Sequence, residues 1–301
     1  PDNAPLPDHI GLAWPLRRLG RCGMDRCRIG CDGRLGLRRP SAATQRQLAS
    51  AMMKTLVILP THQEAGNIDN VLRRVRASLP NAHVLVVDDA STDGTCDLAK
   101  VLALELGQID LLSRSAKNGL GDAYRAGFAW GLEHEFEVLC EMDADLSHQP
   151  EVLAELVSAA VMGADLVIGS RYVPGGAIRG WPKNRLFLSR WGNRYVALLL
   201  GLAINDATSG FRAFRADAVQ RFDLISTTSD GYTFQVETTY RLVRGGARIV
   251  EIPIVFHERT VGASKMSSRI VREALLLVTL WGLRDIVRGR RASPTIITRD
   301  V

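Results

Sequence analysis

An α/β fold with a mostly parallel central sheet flanked by helices is the architecture this sequence predicts, and three observations predict it. From Lys54 to about Gly169, short apolar runs alternate with segments whose apolar residues recur every three to four positions, the rhythm of strands joined by crossover helices. The runs are continuous rather than alternating in polarity, as strands covered on both faces require. Several close on Pro or on acids: Pro60, Asp88-Asp89 and Asp143-Ala144-Asp145. In a sheet wound by right-handed crossovers the carboxyl ends of the strands share one edge, and ligands gather there.

TLVIL at 55–59 predicts the first strand, closing at Pro60. Ile68, Val71, Leu72, Val75 and Leu79 share a helical face, which predicts a helix over 67–79. HVLVV at 83–87 is the second strand and runs into Asp88-Asp89-Ala-Ser-Thr-Asp93-Gly94. Asp93-Gly94 supplies a bend and Thr95 opens a helix to Leu106. A third strand over 109–112, a helix over 121–133, a fourth strand over 138–142, a helix over 150–161 and a fifth strand over 165–168 follow. Beyond Gly169 the rhythm loosens into a polar, arginine-containing stretch, then a helix, a strand pair and a final helix. The apolar runs 195–204 and 274–283 are ten residues each, too short to span a bilayer. The second, between Arg272 and Arg284, predicts a C-terminal amphipathic helix that either lies in a membrane surface or packs on the core.

The chain's 301 residues are 46% hydrophobic and 23% charged, as a globular body requires. Residues 1–51 are rich in Pro, Gly and Arg without periodicity, which predicts a disordered or loosely ordered basic extension. A single domain over 52–290 and a tail over 291–301 complete the organisation. The net charge of +6 suits an anionic partner; nucleic-acid binding would explain the charge and nothing else. Five cysteines form no secreted disulfide framework, which predicts a reducing compartment. Cys22, Cys27 and Cys31 lack the paired spacing of a zinc site.

Two carboxylates one residue apart at a strand end, Asp143 and Asp145, suit a hard cation such as Mg2+ or Mn2+ that also holds a diphosphate. Glu64 after the first strand and the acids after the second are placed to accept hydrogen bonds from a ribose or a base. Arg171, Arg185, Arg212, Arg259 and Lys265 stand among Gly, Ser and Thr, and a guanidinium fork matches phosphate oxygens. Solvated or structural roles remain the alternative for each.

Together these stretches resemble one family. PTHQEAGNI at 60–68, VVDDASTDGT at 86–95, KNGLGDAYRAGF at 117–128, EMDADLSHQPE at 141–151, GSRYVPGG at 169–176, WPKNR at 181–185, DATSGFRAF at 206–214, GYTFQVE at 231–237 and FHERTVGASK at 256–265 occur in order. They are similar to the inverting family-2 glycosyltransferases of GT-A fold, and among them to the polyprenol-phosphate (dolichol-phosphate) mannosyltransferases. The resemblance implies a single GT-A (nucleotide-diphospho-sugar transferase) domain. It puts donor-nucleotide contacts at Pro60, His62, Glu64, Val87 and Asp89, and the diphosphate with its metal at Asp143, Ala144 and Asp145. Arg171, Arg185, Arg259 and Lys265 would meet donor or acceptor phosphates, with Asp145, Arg171 and Arg185 the catalytic set. His62 stands where the family usually has an aromatic residue, and Ser147 where many members have Gln as a third metal ligand.

The implied reaction is inverting transfer of mannose from GDP-mannose to a polyprenyl phosphate, at the cytoplasmic face of a membrane by a peripherally associated protein. The implied partners are the membrane surface and a membrane-spanning protein of the kind that tethers some members. A glucosyltransferase using UDP-glucose, a nucleotidyltransferase and a non-catalytic nucleotide-sugar binder are the alternatives. The loop after the first strand lacks a nucleotidyltransferase's Gly-rich character, and the acidic pair expected of an active enzyme is present.

Overall fold

The computed structural model describes residues 53–258 and 268–289. The expectations for the 1–51 extension, for the 291–301 tail, and for Arg259 and Lys265 fall outside the described residues.

The chain alternates as its periodicity predicts: β1 (Thr55–Thr61), α1 (Ile68–Ser78), β2 (His83–Asp89), α2 (Thr95–Leu106), β3 (Ile109–Arg114), α3 (Leu120–Glu133), β4 (Val138–Glu141), α4 (Leu153–Val161) and β5 (Leu166–Ser170). A short β6 (Ala177–Arg179) precedes α5 (Lys183–Leu200), β7 (Arg212–Arg215), α6 (Ala216–Arg221), α7 (Gly231–Arg244), β8 (Ile249–Pro253), β9 (Val255–His257) and α8 (Ser268–Val287). Seven strands form one sheet in the order β3-β2-β1-β4-β7-β5-β8, and β6 pairs with β9 in a second. All neighbours in the large sheet are parallel except β7, which runs antiparallel between β4 and β5.

β1 pairs with β2 on one side and β4 on the other, so strand order reverses there and a crevice opens beyond the carboxyl ends. The apolar runs explain why the sheet holds its position. Leu56, Ile58, Leu85 and Val87 point into one core with Tyr124 and Phe128 of α3 and Phe234 of α7. Val57, Leu59, Val84 and Val86 point into the other, against α1 and α4. Every strand side chain among these eight is fully buried.

The run at 195–204 reads as one element in sequence but is two in space. Gly201 adopts φ 61° and ends α5 in the left-handed conformation that glycine accepts without a steric penalty. Leu202 and Ile204 then enter the core from the following turn. Conversely α5 begins twelve residues before that run, at Lys183, because its first turns use their apolar residues at the surface.

α3 lies close to the sheet through Gly127 and Gly131. A Cβ on Gly127 would come within 2.5 Å of Ile58, and one on Gly131 within 2.6 Å of Leu139. Gly127→Val is expected to force overpacking of the β1–α3 contact and to lower stability by about 1–3 kcal/mol, read as a drop in the urea midpoint with an unchanged slope.

Candidate active site

Three loops deliver the crevice. Pro60 and Val87 are register partners at the ends of β1 and β2, as are Thr61 and Asp88. Asp88 turns inward: it accepts hydrogen bonds from Thr61 Oγ1 at 2.8 Å, Ser91 N at 2.9 Å and Ser91 Oγ at 2.6 Å. Burial would raise its carboxyl, but these donors hold it below the usual carboxylate range. Asp88 therefore braces the loop, while its buried neighbour Asp89 faces Arg114.

Asp89 lies 2.9 Å from Arg114 Nη1, yet neither that nitrogen nor Asp89 Oδ1 has an aligned hydrogen bond. Burial pushes the Asp89 carboxyl up, against the opposing charge of Arg114. Arg114 also pairs with Asp122 of α3. His62 Nδ1 is 2.8 Å from the Asp89 carbonyl and so carries the proton, since a carbonyl only accepts. Glu64 Oε2 accepts from Asn67 Nδ2 at 2.8 Å, and its N–H donates to Thr95 Oγ1. The predicted donor residues Pro60, His62, Glu64, Val87 and Asp89 thus share the rim of β1 and β2.

β4 carries Asp143, Ala144 and Asp145 past its end. Tyr124, fully buried on α3, lies with its hydroxyl 3.4 Å from Asp143 Oδ1. His148 Nδ1 is 4.0 Å from the other Asp143 oxygen, and burial pushes the imidazole down to about 4. At neutral pH it is an uncharged ring, stacked on Phe211 at 5.0 Å, and adds no positive charge beside Asp143. Asp145 is buried and accepts from the Ser147 N–H at 3.0 Å and from the Ser147 hydroxyl. Each of the three loops contains a non-glycine residue at positive φ, Gln63 at 62°, Ala90 at 54° and Leu146 at 62°. That conformation costs roughly 1–3 kcal/mol per residue, here held in place by the side-chain bonds just described.

The oxygen donors of Asp143, Asp145 and Ser147 have the chemistry of a Mg2+ or Mn2+ site. Among the described residues no three His, Cys, Asp or Glu side chains converge as a metal cage. A two-carboxylate set of this kind fits a cation that takes its remaining ligands from substrate phosphates and water.

Arg171 and Arg185 both line the cleft beside Asp143 and Ser147. Arg171 is buried and forks onto Asp206, Nε to Oδ2 and Nη2 to Oδ1, each at 2.7 Å. Asp206 is held below the usual carboxylate range, with burial offset by that guanidinium. Arg185 donates to Glu258 Oε1 and lies 4.0 Å over the Trp181 ring, while its Nε and Glu258 Oε2 have no hydrogen-bond partner.

Behind the cleft, sequence reasoning missed a buried polar cluster. Arg212 is fully buried and donates to the main-chain oxygens of Ser209, Gln235 and Ala207. Glu141, also fully buried, accepts from Gln235 Nε2 at 2.9 Å, and burial pushes its carboxyl up to about 7. Glu141 is a charged residue inside an apolar strand run, which was the available signal; Arg212, expected at a phosphate, is instead enclosed by backbone oxygens. An apolar pocket of about 110 Å³ was missed as well. It lies between Leu188, Trp191 and Val196 of α5, Val236 of α7, and Leu275 and Val278 of α8, and it shares Arg171, Arg185, Thr208 and Tyr232 with the polar cleft.

Residues 56–222 match the family described as Glycosyl transferase family 2. The chain belongs to that family. This family-2 glycosyltransferase is 47% identical over 258 residues to polyprenol monophosphomannose synthase of Mycolicibacterium smegmatis, covering 84% of this chain and 97% of the relative. It is 51% identical over 240 residues to undecaprenyl-phosphate mannosyltransferase of Micrococcus luteus, covering 80% and 98%. Dolichol-phosphate mannosyltransferase of Pyrococcus furiosus is 34% identical over 74% of this chain and 62% of that protein. Among solved structures, glucosyl-3-phosphoglycerate synthase from Mycobacterium tuberculosis, in complex with Mn2+, UDP-glucose and phosphoglyceric acid, superposes with a TM-score of 0.59. It does so at 16% identity, over 86% of this chain and 94% of that one; at that identity the likeness concerns the GT-A fold alone.

Two outcomes follow from the buried charges. Asp206→Ala leaves Arg171 without its counter-ion and is expected to lower stability by about 3–5 kcal/mol in urea unfolding. Glu141 titrates near 7 folded against its ordinary 4.5, so its stabilising contribution is complete below 4.5 and is lost as pH rises through 7. Relative to wild type, Glu141→Gln is expected to gain up to about 3 kcal/mol between pH 4 and 8. His148 acts in the opposite direction in both proteins, so the difference between the two stability curves is the quantity to measure.

Proposed function

We propose that this glycosyltransferase transfers mannose from GDP-mannose to a polyprenyl phosphate, with inversion, while peripherally associated with the cytoplasmic face of a membrane. The names of the two most similar relatives described above support the sugar and the acceptor class. The observation that carries the reading is the continuity of the two pockets. A cleft lined by acids and arginines adjoins, across Arg171, Arg185, Thr208 and Tyr232, an apolar pocket between three helices. An acceptor with a phosphate head and a hydrocarbon tail has that same division of polarity.

In the reaction an acceptor phosphate oxygen forms the new bond to C1 of mannose while the bond from C1 to the GDP oxygen breaks. A phosphate monoester is already anionic at pH 7, so the chain needs no general base, and orientation and charge carry the step. Arg185, which lines the cleft, would meet the incoming phosphate, and Arg171 would form the wall behind it; Arg259 and Lys265 are candidates for the same task. Asp143 and Asp145, with Ser147, would hold Mg2+ or Mn2+, which when bound supplies Lewis-acid stabilisation to the departing diphosphate.

No described helix is long and apolar enough to cross a membrane. α5 and α8 instead expose Phe187, Trp191, Leu198, Leu276, Leu283 and Ile286, in keeping with peripheral attachment.

Transfer assays with the purified full chain test the reading. GDP-mannose is expected to exceed UDP-glucose by at least about a hundred-fold in kcat/KM. Leu188→Glu, which puts a charge at the mouth of the apolar pocket, should raise the KM for polyprenyl phosphate and leave that for the donor unchanged. Comparable use of UDP-glucose would overturn the donor assignment, and an unchanged acceptor KM would remove the lipid from this pocket.

A further inference from the structure

A second basic pocket lies on the opposite flank of α5 from the apolar one. Its volume is about 430 Å³, and its walls include Arg190, Asn193 and Arg194 of α5, Tyr172 and Gly176 after β5, and Asn205. It is large enough for a phosphoglycerol group. Arg171, already forked onto Asp206, closes its inner wall, whereas Arg190 and Arg194 have no part in the transfer reaction.

Its cations differ from the arginines that the fold matches to acids, such as Arg73 to Glu105, Arg74 to Glu151, Arg114 to Asp122, Arg171 to Asp206 and Arg241 to Glu237. Arg190 and Arg194 have no carboxylate partner among the described residues. They stand four residues apart on one helix face, where like charges repel, and both are exposed. Asn193, between them and 4% exposed, donates its amide to Ser189 O and Thr208 Oγ1 but leaves Oδ1 without a donor. The nearest acids are already committed: Asp206 to Arg171, and Glu251 to the main chain of Asn205 and Asp206. The pocket therefore offers two guanidinium groups with no internal anion to satisfy them.

The adjoining stripe of the same helix identifies where an anion would come from. Phe187, Trp191 and Leu198 recur at i, i+4 and i+11 and form one apolar row, with Phe187 71% and Leu198 74% exposed. Arg190 and Arg194 lie one row over, each three residues on from Phe187 and Trp191 respectively. A row of aromatic and aliphatic side chains edged by arginines is the pattern of a helix lying in a lipid–water interface. With that row inserted, the pocket mouth lies at headgroup depth.

We propose that this pocket binds the phosphate of an anionic membrane phospholipid, with Arg190 and Arg194 as its ligands, and so sets how α5 lies on the bilayer. The site lies across a shared wall, Arg171 and Asn193, from the acceptor pocket. Its purpose rests on the reading that the acceptor is membrane-borne.

The test is flotation of the full chain with phosphatidylcholine vesicles, with and without phosphatidylglycerol. Wild type is expected to bind the anionic vesicles more tightly. Arg190→Gln/Arg194→Gln should lose about five-fold of that preference per arginine, roughly 25-fold together. Ala197→Met, which fills the pocket and keeps both charges, should lose most of the preference too. Retention of the preference by Ala197→Met would mean that the arginines act as diffuse surface charge, and retention by the double variant would mean that they do not act at all; either overturns the proposal. Competition by inorganic phosphate, without any anionic-vesicle preference, would assign the pocket to a soluble ligand and overturn the lipid. With acceptor dispersed in detergent, the double variant should transfer mannose at the wild-type rate, and a loss there would place the arginines in the reaction cleft instead. Should wild type transfer nothing to polyprenyl phosphate yet keep the anionic preference, the lipid site stands and the reaction assignment falls.

Discussion

The Arg171 guanidinium is buried against a carboxylate that is itself closed to solvent, and the shape of the polar cleft and of the apolar pocket follows from how that pair is held. Arg171 leaves the end of β5, and Asp206 sits in the turn after α5. The Asp206 and Asn205 main-chain N–H groups are anchored on Glu251 of β8, and Thr208 bridges Arg171 to Asn193 of α5. One ion pair thereby joins the sheet edge, the turn and the helix that walls the apolar pocket. A buried pair of this kind adds little net stability over an apolar substitute. Its value is positional: it fixes a cation-lined wall at the junction of a polar and an apolar space.

The opposite wall is built on a different principle. The loops after β4, β2 and β1 each contain a residue in the left-handed region, and each is braced by hydrogen bonds between polar side chains. Charge is kept apart by the same economy. His148, which as a cation would neutralise Asp143, is too deeply buried to hold a proton at neutral pH. Tyr124 likewise keeps its proton, because burial and the neighbouring acids raise its hydroxyl. His148 therefore brings no positive charge to this wall.

The first half of the chain was legible because its information is local. TLVIL, HVLVV and DLVI are apolar strands, and the acids that follow HVLVV and the run at 138–142 must emerge at one edge of a parallel sheet. Thus β1 to β5 and the positions of Asp89, Asp143 and Asp145 follow from the order of residues alone. The second half depends on non-local pairing. β7 enters antiparallel between β4 and β5, and no periodicity within RAFR states which strands it will separate. Arg212 was visible as a basic residue among small polar ones, but not that its guanidinium would be enclosed by backbone oxygens. The apolar pocket was invisible for the same reason, since its walls come from three helices far apart in sequence. Arg171 illustrates the limit of residue-type reasoning: a guanidinium near a phosphate cleft is also a good partner for a buried Asp, and two of its nitrogens are given to Asp206.

β8 and β9 are separated by one residue, Ile254, whose N–H donates to Ser170 O and whose carbonyl accepts from Ala177 N. His257 N–H then reaches Ser147 O, and Glu258 N–H reaches Arg179 O. Phe256, packed near His148, Trp181 and Arg171, and Glu258, paired with Arg185, fall on the same side of this short strand, while Val255 and His257 fall on the other. Side-chain direction alternates along a strand, so a slip of one position here exchanges the two sets. The chain can lengthen or shorten at many of its surface turns without touching the cleft. Between Pro253 and Glu258 it cannot, and descendants of this sequence should vary there by replacement and never by insertion or loss.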